Sequence, residues 1–280
     1  MAANKRIKIF YKLRFIISTS ILVFFAIFPI LWIILTSFKQ KKDLMGDIPR
    51  FIFSPTIKYW KGVLFATDFI KYYKNSLIIA ISVTIIVIII AIMAGYSLVR
   101  GSYRFRDNIA FFILSQRMMP AVAVVLPIYI FAAQLRALDR LETLIFINVA
   151  FNLPLAVWMI RGFIEGLSES IEEAALIDGC SRFGAFLRVG LPQTLPGLLS
   201  TALLVFIYTF NEFFFALILS GTRARPVTVA MQLFLPTGVR GTLFGEAAVA
   251  ALLIMCPSLI LAVFMQKYLV SGISLGALKE

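Results

Sequence analysis

The segment Asn75–Val99 reads NSLIIAISVTIIVIIIAIMAGYSLV and carries no charged side chain. A bilayer core about 30 Å thick takes about 20 helical residues to cross, so this run is long enough for one membrane span. Its centre, Ile85–Met93, does not alternate between apolar and polar residues as a strand of a membrane barrel does. The pattern therefore predicts a membrane-spanning α-helix.

Five further charge-poor runs meet this length test or nearly meet it. Together the predicted spans are about 15–38, 75–99, 108–135, 143–160, 198–220 and 247–266. The longest polar connections, 39–74 and 161–197, have the size of loops and not of soluble domains. The sequence predicts an all-α protein with about six transmembrane helices and a single membrane domain over residues 1–280.

The overall composition agrees with a membrane protein. Hydrophobic residues make up 61% of the 280 residues and charged residues 15%, and the mean hydropathy is +0.94. Soluble domains are nearer half apolar and a quarter charged. The net charge of +13 would suggest a nucleic acid in a soluble protein. Here the basic residues lie at the ends of apolar runs, where they contact lipid headgroups, and no nucleic-acid partner is predicted.

Several kinds of chemistry are excluded by the residues the chain lacks. It has no histidine, and therefore no Ser-His-Asp triad and no histidine-based metal site. It has no G-x-x-x-x-G-K-[ST] segment to cradle nucleotide phosphates. Cys180 and Cys256 are interpreted as unpaired. The sequence predicts no enzyme and no cofactor in this chain, so its energy must come from elsewhere.

The direction of insertion is not decided by charge alone. With the N-terminus inside, the inner and outer loops carry equal numbers of basic residues, so the positive-inside rule gives a tie. The basic cluster Lys5–Arg14 before the first span weakly favours an inner N-terminus. The first run is interpreted as a retained span and not a signal peptide, because it is too long and no small-x-small cleavage site follows.

The loop after the fourth span carries the functional signal: residues 168–186 read SESIEEAALIDGCSRFGAF. Ser170 and Glu173 have the spacing of a capping box, and Gly179 is a natural helix stop. These signals predict a short helix from Ile171 to Asp178. A second helix is predicted to begin near Ser181, with Pro192 in its far boundary region.

Such a short helix is unstable alone in water, so something must order it. It presents small and apolar residues between two membrane spans, which favours docking against a partner protein. The alternative is a helix lying flat on the membrane. Anionic headgroups would repel its acidic start, Glu169, Glu172 and Glu173, and this argues for docking.

This loop resembles the EAA loop of bacterial ABC importer permeases: Glu173-Ala-Ala, three residues, Gly179, and Leu191-Pro192 beyond. Four flanking motifs resemble the MalG-like subunits of carbohydrate importers, and the similarity covers about residues 13–280. They are Asn75-Ser-Leu-Ile, Ala94-Gly-Tyr-Ser-Leu-Val-Arg100, Asn211-Glu-Phe-Phe-Phe-Ala-Leu and Gly272-Ile-Ser-Leu-Gly-Ala-Leu-Lys279. Cys180 and Phe183 depart from the alanine and tryptophan expected at those positions.

The resemblance implies a type I ABC importer permease fold and a coupling role for the EAA helix. That helix would seat in a cytoplasmic ABC ATPase dimer, which binds ATP and Mg²⁺, and pass its closure to the spans. A MalF-like second permease and an extracytoplasmic solute-binding protein would complete the complex in a bacterial inner membrane, with both termini cytoplasmic. The implied coupling residues are Glu172, Glu173, Ala174, Ala175, Asp178, Gly179 and Phe183.

Polar residues within the spans are candidates for the path of a sugar or polyol. They are Arg117, Asn148, Asn152, Tyr208, Asn211 and Glu212. Arg117 and Glu212 either approach each other or line the path, or they snorkel from span ends to water. The other residues have packing as their alternative role.

Two other classes of protein compete with an importer permease. An ion-coupled secondary transporter would carry acidic residues within its spans and often inverted repeats. Only Glu212 fits, and no repeat is evident. A membrane-embedded enzyme would need a cluster of catalytic polar residues, and the sequence offers none.

Overall fold

The computed structural model describes the backbone of residues 2–46, 48–235 and 243–277, and the side chains of residues 11–46, 48–235 and 243–266. The N-terminal basic cluster and the Gly272–Lys279 motif thus lie wholly or partly outside the described side chains. The described residues form α-helices and no strands. The helices are α1 Ala2–Phe38, α2 Lys41–Leu44, α3 Lys58–Phe65, α4 Phe69–Arg100, α5 Arg106–Ser115, α6 Ala121–Gln134, α7 Leu141–Glu165, α8 Glu169–Ile177, α9 Arg182–Ala185, α10 Leu191–Phe210, α11 Phe214–Leu219, α12 Val227–Ala230 and α13 Phe244–Ala277.

Five helical stretches are long and apolar enough to cross a membrane, and the pair α5 and α6 gives a sixth if it counts as one span. The prediction of an all-α protein with about six transmembrane helices is confirmed. The five stretches are Tyr11–Phe38, Phe69–Arg100, Leu141–Glu165, Arg182–Phe210 and Phe244–Gln266.

The chain divides into two compact units, and the smaller comprises residues 1–68 and 231–253. Its packing centres on Trp60, whose ring stacks on Phe38 at 5.8 Å between centroids and whose indole N–H lies 3.4 Å from the Ser37 hydroxyl. Lys39 is almost fully buried, with its ammonium 4.0 Å from the Trp32 ring centroid. Aromatic side chains therefore hold the end of α1 and the segment that follows it.

The larger unit comprises residues 69–230 and 254–280 and is organised around α4, α7 and α10. The buried stripe of α4 repeats every fourth residue: Ile79, Val83, Val87, Ala91 and Gly95. This spacing places the stripe on one face of the helix. At its end, a Cβ on Gly95 would come within 3.1 Å of the Ile160 side chain and 3.2 Å of the Arg161 backbone nitrogen. Small residues thus let α4 and α7 pack closely.

The predicted third span, 108–135, is not one straight helix. It consists of α5, a 3₁₀ turn at Gln116–Met118 and α6, bent by 87° at the break. Pro120 is the N-cap of α6, and Met119 before it is extended, because proline disfavours a helical conformation in the preceding residue and lacks the N–H that would continue the helix. Pro127, by contrast, lies inside α6.

The predicted fifth span, 198–220, and the expected boundary near Pro192 are both corrected. The helical stretch runs from Arg182 through Pro192 to Phe210, with a π-helical turn at Phe186–Gly190. In a regular α-helix the ring of Pro192 would clash with the carbonyl of Arg188, four residues earlier. The wider π-helical turn includes Arg188 and relieves this clash, so the helix continues through Pro192. It ends ten residues earlier than predicted, and α11 follows as a separate short helix.

Candidate functional site

The acidic loop helix, α8, spans Glu169–Ile177 and begins at Ser168 as its N-cap. The predicted capping box of Ser170 and Glu173 is therefore wrong, because Ser170 already lies in the first helical turn. Its hydroxyl instead lies 2.7 Å from that of Ser168. Glu169 and Glu172 occupy the first turn, where the helix dipole favours negative charge.

The C-terminal end of α8 agrees with the prediction. Gly179 adopts φ +87°, a left-handed conformation that favours glycine. The backbone N–H of Gly179 donates to the Leu176 carbonyl at 3.0 Å, and that of Cys180 donates to the Ala175 carbonyl at 3.0 Å. These two bonds form a Schellman motif, which satisfies the last carbonyls of the helix. The Ser181 hydroxyl then accepts from the Gly184 N–H and caps α9, which begins where expected.

The two faces of α8 have different surroundings. Glu172 and Ala175 are buried in the chain. Five of the predicted coupling residues are exposed: Glu173, Ala174, Asp178, Gly179 and Phe183. Ile177 is 86% exposed, although it is a large apolar residue. The helix thus has one face fixed inside this chain and a small, partly apolar face left open.

The buried face of α8 is held by Arg100, the last residue of α4. Its guanidinium donates Nε to Glu172 Oε2 at 3.1 Å and Nη2 to Glu172 Oε1 at 3.2 Å. It also donates to Glu169 Oε1 at 3.0 Å and to the Leu167 carbonyl at 3.4 Å. The two-pronged geometry matches the planar fork of arginine to a carboxylate. Sequence reasoning missed Arg100 as a partner, since 72 residues separate it from Glu172.

Close packing supports this ion pair from the π-helical turn. The Tyr96 ring lies 4.2 Å from that of Phe186, and its hydroxyl donates to the Arg182 carbonyl at 3.2 Å. A Cβ on Gly190 would come within 3.0 Å of the Phe186 ring and 3.2 Å of Glu172 Oε1. A polar cavity of about 300 Å³ remains beside the pair and is lined in part by both.

A second ion cluster lies at the C-terminal end of α7, just before α8 in the chain. The Arg161 guanidinium pairs with Asp107 at the start of α5 and with Glu165 one helical turn further along α7. It also lies 5.7 Å from the Trp158 ring centroid. Both ion clusters therefore fix the ends of helices near α8. Sequence reasoning did not assign any of these four residues.

Two of the predicted path residues are buried and bonded within the bundle. Asn152 donates to the Asn148 carbonyl at 2.9 Å and to the Thr209 hydroxyl at 3.2 Å, which joins α7 to α10. Asn148 donates to the Leu144 carbonyl at 2.9 Å. The side chains of Asn148 and Asn152 serve as packing contacts in this conformation.

Arg117 and Glu212 do not pair with each other, which contradicts one of the three alternatives stated for them. Arg117 donates to the Phe151 carbonyl at 2.6 Å, and its guanidinium lies 5.3 Å from the Tyr208 ring centroid. Glu212 accepts from the backbone N–H groups of Phe215 and Ala216 at 2.8 and 3.0 Å. The Glu212 carboxylate thus caps α11.

Tyr208 and Asn211 remain accessible where α10 ends. Tyr208 is 47% exposed, and Asn211 is exposed, with its amide donating to the Ile207 carbonyl. Arg117 lies over the Tyr208 ring, so these three residues are close to the break between α10 and α11 in the predicted fifth span. Interrupted helices within transporters are typical of the places where polar solutes pass.

The carboxylate of Asp139, between α6 and α7, is surrounded by backbone donors. It accepts N–H groups from Gly221, Thr222, Arg223 and Ala224 at 2.7 to 3.1 Å. Burial would raise the pKa of this carboxyl, but the four N–H groups lower it more, so the pKa lies below its ordinary value of 3.8. Asp139 therefore holds the segment after α11 as a fixed, charged anchor.

The same segment, residues 220–228, is bonded to the start of α4, and we call it the strap. The Asn75 amide donates to the carbonyls of Arg223 and Arg225 at 2.9 and 3.0 Å. The Val227 N–H donates to the Ser76 hydroxyl at 2.8 Å. Arg100 and the strap thus contact α4 near its opposite ends. At a rise of 1.5 Å per residue, positions 75 and 100 of this helix lie about 37 Å apart.

The chain matches the family described as binding-protein-dependent transport system inner membrane component over residues 87–275. It is 35% identical to the trehalose/maltose transport system permease protein MalG of Thermococcus litoralis, covering 98% of this chain and 99% of the relative. It is 31% identical to the diacetylchitobiose uptake system permease protein DasC of Streptomyces coelicolor, covering 93% and 95%.

A solved structure shares the fold. It is a bacterial ABC transporter involved in the import of the acidic polysaccharide alginate, with a TM-score of 0.78 at 20% identity, covering 92% of this chain and 96% of that chain. The helical bundle, the broken fifth span and these matches define an inner-membrane permease component. The chain belongs to the family of binding-protein-dependent transport system inner membrane components.

Proposed function

We propose that this permease subunit imports a sugar or polyol, using ATP hydrolysed by a separate cytoplasmic ATPase dimer that binds ATP and Mg²⁺. A MalF-like second permease and an extracytoplasmic solute-binding protein complete the complex. The observation that carries the proposal is the two-faced α8: Arg100 fixes its buried face, while Ala174 and Ile177 leave an open face. The relatives' names, trehalose/maltose and diacetylchitobiose, support a carbohydrate.

The open face of α8 is suited to seat in a groove of another protein. Ala174 allows close approach of a neighbouring backbone, and Ile177 and Phe183 offer apolar surface at 86% and 58% exposure. Glu173 is exposed and forms no ion pair within the described residues, so its carboxylate is free to meet a basic group of the ATPase. Membrane lipid is a poor alternative, because anionic headgroups would repel this carboxylate.

Motion of the ATPase would reach the spans by two direct connections. The first is the Arg100–Glu172 ion pair, which joins α8 to α4. The second is the helical stretch Arg182–Phe210, which leads from the loop after α8 into the membrane without interruption. ATP-bound closure would favour the outward-facing bundle, and hydrolysis would restore the inward-facing one, because each ligand shifts the equilibrium toward the state it binds better.

The topology follows from this assignment. With α8 in the cytoplasm, the Arg100 end of α4 is cytoplasmic, and the strap lies about 37 Å away on the extracytoplasmic side, a distance sufficient to cross the bilayer core. Six spans then place both termini in the cytoplasm. Tyr208 and Asn211 at the end of α10, and Arg117 in the turn between α5 and α6, would contact the passing solute.

Co-purification tests the coupling role directly. Ala174→Arg places a long cation on the open face of α8 and should abolish association of the ATPase subunit with the purified permease. Ala66→Arg is the matched control, since Ala66 is also exposed but belongs to the predicted outer loop 39–74. Equal recovery of the ATPase with both variants would contradict the coupling role.

Solute uptake tests the substrate class. Proteoliposomes of the full complex should accumulate labelled maltose, trehalose or a polyol only with ATP inside and the binding protein outside. Uptake driven by an ion gradient without ATP would instead indicate a secondary transporter.

A further inference from the structure

Three arginines near Asp139 have guanidinium groups that form no hydrogen bond or ion pair with other described residues. They are Arg136, Arg140 and Arg223, and all three are exposed. We call them the outer arginine surface, since they lie on the two loops that Asp139 joins. Arg140 and Arg223 both line a cavity of about 330 Å³, with Glu142 and Asp139 also in its wall.

The loops that carry this surface are held in one conformation. Asp139 fixes the strap with four backbone hydrogen bonds, and its own N–H donates to the Leu219 carbonyl at 2.9 Å. Arg136 and Asp139 adopt φ +52° and +58°, a left-handed conformation that non-glycine residues adopt only at some cost. The backbone that carries the arginines is therefore positioned in advance, which reduces the backbone entropy lost when a partner binds.

The local charge is positive although two carboxylates are present. The Asp139 charge is directed into the backbone donors of the strap, so it does little to neutralise the neighbouring guanidinium groups. Glu142 is exposed at the edge of the cavity. A concave surface with free arginines and one acidic group is complementary to a folded surface with acidic side chains and one hydrogen-bond donor.

We infer that the outer arginine surface docks an acidic patch of the solute-binding protein, with one carboxylate of that protein entering the cavity between Arg140 and Arg223. The inference rests on the proposed topology, which places these loops outside the membrane. A protein fits better than lipid headgroups, because a protruding carboxylate of a folded protein can enter the cavity between Arg140 and Arg223, whereas a bilayer surface is flat. Charges at such a rim act mainly on the rate of association and its salt dependence.

The experiment uses the full complex of both permeases and the ATPase in phosphatidylcholine proteoliposomes, with the solute-binding protein of the same transport system added outside. The measured quantity is the binding-protein concentration that gives half-maximal stimulation of ATP hydrolysis. The double variant Arg140→Glu/Arg223→Glu should raise it about tenfold or more, consistent with loss of electrostatic steering. The matched control is Arg104→Glu, on the predicted cytoplasmic loop, which should leave it unchanged.

Raising the KCl concentration supplies a second measurement that needs no variant. For the unaltered complex, the half-maximal concentration should rise steeply with salt, and the double variant should flatten that dependence. The inference is overturned if the unaltered complex shows no salt dependence, or if the double variant keeps a normal half-maximal concentration. It is also overturned if an effect of the variant appears only in vesicles containing anionic lipid, which would identify lipid as the partner.

Failure of this inference is distinguishable from failure of the proposed function. If no ATPase subunit assembles with the unaltered permease, the proposed function is wrong. If the ATPase assembles and the basal rate of hydrolysis is normal in the double variant, the half-maximal concentration of binding protein reports on the docking surface alone. The milder pair Arg140→Gln/Arg223→Gln replaces the double variant if charge reversal prevents assembly, with a smaller shift in the same direction expected.

Discussion

Replacing Arg100 by alanine would leave the Glu172 carboxylate largely buried without its cation. The side chains of Arg100 and Glu172 are 13% and 10% exposed, so water can solvate neither charge fully. Removing one partner of a buried ion pair costs about 3–5 kcal/mol. Because both groups keep some contact with water, we expect about 3 kcal/mol for Arg100→Ala. The bond to Glu169 adds little, since that side chain is 70% exposed.

The effect on transport should exceed the effect on assembly. Without the guanidinium, the open face of α8 that we propose to dock on the ATPase is unchanged, but its buried face is no longer fixed to α4. We expect Arg100→Ala to retain the ATPase subunit and basal ATP hydrolysis while the solute transported per ATP falls at least fivefold. Arg100→Lys keeps the charge but cannot form both prongs to Glu172, and should give an intermediate ratio.

A double-mutant cycle separates the ion pair from general destabilisation. Arg100→Met, Glu172→Leu and their combination are compared by thermal unfolding in detergent and by solute transported per ATP in proteoliposomes. If the pair acts as a unit, the double variant should be more stable than either single variant, because no unpaired charge stays buried. A coupling energy below about 0.5 kcal/mol, or a normal transport ratio in Arg100→Ala, would refute the reasoning.

Three further outcomes are expected. Gly190→Ala should lower the free energy of unfolding by about 1 kcal/mol, because its Cβ would come within 3.2 Å of Glu172 Oε1. Thermal unfolding measures this, and an unchanged midpoint would show that the π-helical turn shifts without cost to accept the methyl group. Asn152→Leu should cost about 1–2 kcal/mol, since the buried Thr209 hydroxyl loses a donor, and unchanged unfolding of the purified chain would contradict that packing role. Asp139 stabilises the fold while ionised; as its folded pKa is lowered below 3.8, that contribution should persist at pH 5–8 and be lost only as the pH falls below about 3.8 through the folded pKa. Asp139→Asn should remove it at neutral pH, so hydrogen exchange of the strap should be faster in that variant at pH 7, and the difference from the unaltered protein should shrink as the pH falls below 3.8 toward the folded pKa.

Local signals in the sequence predicted the local structure well. Gly179 ended α8 where expected, since a left-handed residue after a helix depends on a few neighbours only. The capping box failed because Ser168 and Ser170 are both suitable N-caps, and the chain uses the earlier one. With Ser168 as the N-cap, Glu172 lies in the first turn of α8 and bonds Arg100.

Contacts between distant residues could not be predicted in the same way. Arg117 and Glu212 were hypothesised to pair because both are ionisable residues within predicted spans. Each instead satisfies its charge with backbone groups: a carbonyl of α7 for Arg117 and the free N–H groups of α11 for Glu212. The apolar residues after Asn211 extended the predicted fifth span, whereas the helix break is stabilised by Glu212 capping α11, which hydropathy does not reveal.

The arrangement of α4 explains how an event on one side of the membrane can influence the other. One end of this helix is held to α8 by Arg100, and the other end is held to the strap by Asn75 and Ser76. A packed helix transmits displacement along its axis, because its backbone bonds and its buried stripe resist bending. The strap in turn is bonded to Asp139 in the loop before α7, so we expect a displacement of α4 to reach that loop through these hydrogen bonds. The ion pair and hydrogen bonds of α4 form a contiguous connection between its two ends, and the Arg100 variants test whether that connection carries coupling.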